Sequence, residues 1–89
     1  MLSVRSVTTS GLVLTLAEDP VLRAAALAEL GRDPRIVVGE ATGLRLPIAT
    51  EASDLHAAEA LAEALGHLDG VRFVDVVFVH FEETDHGTT

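Results

Sequence analysis

The chain contains no cysteine, lysine, asparagine, glutamine, tyrosine or tryptophan, and each gap removes a class of chemistry. Without cysteine there is neither a disulfide nor a thiolate metal site, a composition suited to a reducing compartment. The missing Asn, Gln, Lys and Tyr thin the usual supply of oxyanion donors. The only aromatic residues are three phenylalanines, and positive charge is limited to six arginines against fourteen acidic residues, a formal balance of −8. Such a field repels phosphate backbones and anionic membrane surfaces, and an RNA-binding sheet would need stacking aromatics on a basic surface. Nucleic acid is therefore excluded as a partner; the field would attract a cationic one, but the charge by itself reads first as keeping a Val- and Leu-rich domain soluble. No stretch approaches the roughly 20 apolar residues of a membrane span. Residues 1–5, Met-Leu-Ser-Val-Arg, hold no apolar run ending at a small-residue cleavage site, so no export signal is expected and the expected location is the cytoplasm.

Catalytic and metal-binding patterns are missing as well. No serine stands in a G-x-S-x-G context, and no Gly-rich phosphate loop is present. Histidines occur at positions 56, 67, 80 and 86, with no pair at the i, i+4 spacing of a helical zinc site. His56 and His67 would stand about 16 Å apart along a helix at 1.5 Å per residue. A metallochaperone of this size would need C-x-x-C, and an acylphosphatase-like enzyme would be expected to pair an arginine with an asparagine. The expectation is a chain with no catalytic residues, no metal and no cofactor.

What is present is a regular alternation of elements. Ser6–Leu16 is rich in β-branched residues and reads as a strand. Asp19 then supplies an N-cap and Pro20 a first helical position, followed by a stripe of Leu22, Ala26, Leu27 and Leu30 and a stop at Gly31. Arg35–Val38 forms a second strand. The segment 40–43 turns, with Gly43 free to take positive φ, and Leu44–Thr50 returns antiparallel, although Pro47 is awkward in a strand interior. Ser53-Asp54 caps a second helix whose apolar face is Leu55, Ala58, Leu61, Ala62, Leu65 and Leu68. Val71–Phe81 is the strongest strand signal in the chain. The expected molecule is one domain over residues 1–89, ordered over about 5–83, with an acidic tail at 84–89 expected to fray.

The order β-α-β-β-α-β specifies an α+β, ferredoxin-like sandwich: a four-stranded antiparallel sheet with two helices on one face. The other face is then left open. On alternation alone, Val74, Val76 and Phe78 fall on one side of the last strand and Phe73, Val77, Val79 and Phe81 on the other, with Asp75 the only charge among them. Leu12, Leu14 and Leu16 take one side of the first strand, and Gly11, Val13 and Thr15 the other. An apolar patch around Val13, Val77 and Val79 is thus expected on the open face, as a site for a peptide or ligand or as a homodimer contact. The outer edge of the last strand could also accept another strand.

Five segments stand out: Ser10-Gly11-Leu12-Val13-Leu14, the Pro-headed helix with Leu27 and Leu30, Gly43-Leu44-Arg45-Leu46, Gly70-Val71, and Val76-Val77-Phe78-Val79-His80-Phe81-Glu82-Glu83. In these the chain resembles the NapD family, the cytoplasmic maturation chaperones of periplasmic nitrate reductase. Together the segments run from about Ser10 to Glu83. The family's Pro-Gly before the second strand is replaced by Asp33-Pro34-Arg35, and His80 stands one residue later than in the family. The resemblance implies binding of the twin-arginine signal peptide of an exported molybdoenzyme, which delays export until the cofactor is inserted. On that reading Gly11, Val13, Thr15, Val77 and Val79 floor a groove, and Asp75, Glu82 or Glu83 engage the arginines. An ACT-like small-molecule sensor or a purely structural dimer would share the topology. Against a sensor, Ala17-Glu18-Asp19-Pro20 is stiff and acidic where a Gly-rich effector loop would be needed.

Overall fold

A computed structural model describes residues 3–86, with side chains described from Val7 to Glu82. The elements are β1 (Ser3–Leu16), α1 (Pro20–Arg32), β2 (Ile36–Val38), β3 (Arg45–Ala52), α2 (Leu55–Gly66) and β4 (Val71–His86). The four strands form one antiparallel sheet in the order β2-β3-β1-β4. This is the ferredoxin-like sandwich expected from the element order.

The helix caps are those marked by the sequence. The Asp19 carboxylate accepts from the Val21 amide at 2.8 Å, and Asp54 accepts from the Ala57 amide at 2.7 Å, satisfying orphan donors of each first turn. The helix α1 does not stop at Gly31 but runs through Arg32, where Asp33 adopts extended φ/ψ. Pro34 is the physical reason, because a residue before proline is pushed out of the helical region. Gly70, in contrast, is required where it stands: its φ is +93°, and a Cβ there would lie 2.2 Å from the Leu22 carbonyl oxygen.

The core lies between sheet and helices. Leu12, Leu14 and Leu16 of β1, Leu46 and Ile48 of β3, Ala26 and Leu30 of α1, and Leu61 and Leu65 of α2 are buried together. The predicted stripe of α1 is only half realised, since Leu22 and Leu27 stay partly exposed while Ala26 and Leu30 are buried. At one end of the same layer Thr8, Ser10 and Thr50 are also buried.

Proline at position 47 is accommodated by the direction of its backbone. Glu51 donates to the Arg35 carbonyl at 2.9 Å, and Pro47 accepts from the Gly39 amide at 2.8 Å, so the odd-numbered residues of β3 aim their backbone groups at β2. Opposite Pro47 stands Gly39, one residue past the end of β2 at Val38. The missing N–H therefore forgoes only the reciprocal bond at the outer end of the β2–β3 pairing, and the β1–β3 ladder is unaffected.

The last strand is longer than the tail composition suggests. Its backbone continues to His86, paired with Ser3, so residues 84–86 belong to a strand rather than a frayed tail. The reason is that β1 itself extends to Ser3 and offers a partner along the whole length; residues 87–89 lie outside the described residues. Two irregularities interrupt the β1–β4 register, between Gly11 and Leu12 and between Thr15 and Leu16, leaving Val77 and Arg72 as extra residues on β4. The first of these decides which side chains face which way.

Candidate functional site

Direct partners in an antiparallel sheet share a face, so the register defines the surface away from the helices. Three successive rows cross the sheet there: Val37–Ala49–Gly11–Phe78, then Pro47–Val13–Asp75, then Arg45–Thr15–Phe73. On the other side of the first row come Glu51–Thr9–His80 and then Val7–Glu82. Among the described residues no element covers this face.

Its relief follows from side-chain size. The two central strands carry small residues, Ala49, Gly11, Val13 and Thr15. The outer strands carry the larger Val37 (69% exposed), Phe73 (59%) and Phe78 (48%). Strands spaced about 4.8 Å apart put the backbones of Val37 and Phe78 roughly 14 Å from one another. The phenyl ring of Phe78 folds over Gly11, where a Cβ would meet it at 2.6 Å. Glycine at this position is what allows the ring to lie on the sheet.

Charge bounds the apolar band at both ends. Arg45 and Asp75 approach to 3.9 Å across β1, a half-exposed pair of the kind that contributes little to stability. At the opposite end Glu51, His80 and Glu82 are exposed. Asp75 and Glu82 stand about 20 Å apart along β4 at roughly 3.3 Å per residue, so they do not form one acidic pocket.

The structure places the predicted site residues as follows. Gly11, Val13, Thr15, Asp75 and Glu82 all lie on the open face. Val79 does not. The extra residue Val77 reverses the alternation, so that Phe78 and His80 face outward while Val79 and Phe81 turn to the helix side. Val79 lines a groove of about 170 Å³ between β4 and α2 with Ser10, Leu12, Leu55, Ala58 and Val76. Val77 sits at the irregularity itself, largely exposed, and the Glu83 side chain lies outside the described residues. Strict alternation missed Phe78, Val37, Pro47 and Ala49. The last two were legible, since they alternate with the buried Leu46 and Ile48, whereas a bulge inside the apolar run Val76-Val77-Phe78-Val79 leaves no mark in residue type.

Elsewhere an open hollow of about 450 Å³ lies between Glu29, Arg32, Asp33, Pro34 and Arg35. There Arg35 donates to Asp33 through its side chain at 2.8 and 3.0 Å and through its backbone amide at 2.9 Å. The side-chain bond first, and the amide next, hold the Asp33 carboxyl below its ordinary range. Among the described residues no three His, Asp or Glu side chains gather as a metal site would require, and no helix is long and apolar enough to cross a membrane.

No protein-family model matches the chain, and no curated protein matches its sequence. The fold does have a counterpart. The solution structure of the E. coli Tat proofreading chaperone protein NapD superposes with a TM-score of 0.69 at 19% identity, covering 81% of this chain and 76% of that chain. At that identity the likeness is one of fold: the two chains share the ferredoxin-like arrangement, and the neighbour is a chaperone rather than an enzyme.

Proposed function

We propose that the chain is a binding chaperone, not an enzyme, that takes the twin-arginine signal peptide of an exported, nitrate reductase-like molybdoenzyme on its open sheet face. It would act in the cytoplasm and delay export until the cofactor is inserted. One observation carries this reading: an uncovered apolar face, floored by Ala49, Val13 and Thr15 and flanked by Val37 and Phe73, with the Phe78 ring lying across Gly11 and carboxylates at its ends. The apolar stretch of a signal peptide, as a helix, suits such a face by polarity. Its arginines can pair bidentately with carboxylates, and the formal charge of −8 draws a cationic peptide in at a distance. The likeness to a Tat proofreading chaperone supports the same reading.

Of the acidic candidates, Glu82 offers an exposed carboxylate with Glu51 near by, whereas Asp75 already has Arg45 as a neighbour. Adjacent arginines therefore belong at the Glu51–Glu82 end, with the apolar stretch running toward Pro47 and Phe73. Glu83 stays a candidate at the same end by its position on β4.

Calorimetric titration with a twin-arginine signal peptide tests the proposal. The expected result is one-to-one binding that is lost in the V13D/F78D double variant while circular dichroism shows the fold retained. Undiminished affinity in that variant would remove the open face from the site, and absence of binding by the unaltered chain would remove the function.

A further inference from the structure

Among the described residues β4 bonds only to β1, so the outer edge of a 16-residue strand has no partner. Long, exposed apolar edges are templates for further strand pairing. This one is apolar on both sides: Phe73 and Phe78 on the open face, and Val76, Val79 and Phe81 on the helix face, each about half exposed. A docked helix would fill only the groove beside Leu55 and Ala58 and leave the backbone edge bare. An added strand satisfies the edge and shelters both rows.

We propose that the occupant is a second copy of this chain. The β4 strands of the two copies pair antiparallel about a two-fold axis, joining two four-stranded sheets into one of eight. The extra residue Val77 selects the register. Before it, even-numbered side chains face the helices; after it, odd-numbered ones do. Direct partners then share a face only when an even-numbered residue meets an odd-numbered one. With the axis between Val77 and Phe78, Val76 lies opposite the partner's Val79 and Val74 opposite the partner's Phe81, all on the helix side. On the open side, Asp75 lies opposite the partner's His80, a carboxylate facing a ring N–H, and two-fold symmetry repeats each pair. Sliding one way sets Asp75 against the partner's Glu82, a like-charge pair; sliding the other way sets it against the partner's Phe78.

Exposed Phe side chains offer roughly 150–250 Å² each and valines less, so the half-exposed Phe73, Val76, Val77, Phe78, Val79 and Phe81 leave at most about 500 Å² bare on each copy. Two copies together reach about 1,000 Å², the size of a weak, reversible interface. Both copies carry the same net charge, so salt should strengthen this association.

Sedimentation of the full chain should show a monomer–dimer equilibrium that shifts toward dimer as salt rises. Because the chain has no cysteine, crosslinking reads the register without background. Directly opposed residues stand about 4.5–5.5 Å apart at Cα, within disulfide reach. Positions 76 and 79 of one copy, in contrast, pair with Leu12 and Ser10 and stand about 7 Å apart, at the limit of that reach, and positions 75 and 80 stand farther apart still. The V76C/V79C variant should oxidise to a covalent dimer, and so should D75C/H80C, whose positions lie outside the core; V76C/F81C, offset by two residues, should not. A chain that stays monomeric at its highest soluble concentration, with no crosslink in either matched variant, would overturn the pairing. So would a dimer that is abolished by V13D on the open face and untouched by V79K on the edge.

Discussion

Gly11 and Gly70 show how single residues shape this molecule. At Gly11 the missing side chain leaves room for the Phe78 ring, with a would-be Cβ contact of 2.6 Å. A G11V variant should lose about 1–3 kcal/mol through forced displacement of the ring. At Gly70 both the positive φ and the Leu22 carbonyl oppose a side chain, and backbone cannot step aside as a ring can. G70A should therefore cost more, about 3 kcal/mol or above. Urea unfolding followed by circular dichroism measures both, since the chain has no Trp or Tyr to report by fluorescence. Asp33 offers a titration instead. Its carboxyl is held low first by the side-chain bond from Arg35, so the folded value lies beneath the unfolded one. The stability it adds is present above the ordinary value of 3.8 and is lost as pH falls through the depressed folded value. NMR titration should find an Asp33 midpoint below 3.8 that R35A raises toward the ordinary range, the backbone amide at position 35 retaining part of the shift.

Among the elements, β3 and β4 separate what a pattern can carry from what it cannot. Pro47 interrupts a strand in the sequence but spares the β1–β3 ladder in the fold, because its nitrogen faces Gly39, just past the end of β2. P47A should thus change stability by less than about 1 kcal/mol, mostly through the unfolded chain. I48P is the contrast. Ile48 aims its backbone at β1, is buried, and pairs directly with Leu12, so the same ring one residue later should prevent folding, as loss of the circular dichroism signal would report. Caps and helix faces were legible in Asp19-Pro20, in Asp54, and in the spacing of Ala58, Leu61 and Leu65, because capping and burial act over one or two turns. The direction of β4 beyond Val76 was not. One extra residue inverts every later side chain, and nothing in a run of valines and phenylalanines announces it.

At the scale of the whole molecule, two surfaces compete for attention, and salt distinguishes them. Peptide capture on the open face pairs unlike charges, so affinity for a twin-arginine peptide should fall as ionic strength rises from about 0.05 to 0.5 M. Edge pairing joins like-charged copies and should respond in the opposite sense. Calorimetry and sedimentation across the same salt series measure the two separately. The surfaces meet at Phe73, Asp75 and Phe78 and differ beyond them: Val13, Ala49 and Val37 belong to the open face alone, and Val76, Val79 and Phe81 to the edge alone.

The residue order by itself determined the β-α-β-β-α-β succession, the side of β1 that enters the core and the acidic field. These are local or summed properties, readable without knowing which segments meet. Only the tertiary structure decided that Val79 and Phe81 turn toward α2, that Phe78 covers Gly11, and that Val37, Pro47 and Ala49 complete the open face. Each depends on register between strands distant in sequence, where an offset of one residue exchanges one face for the other.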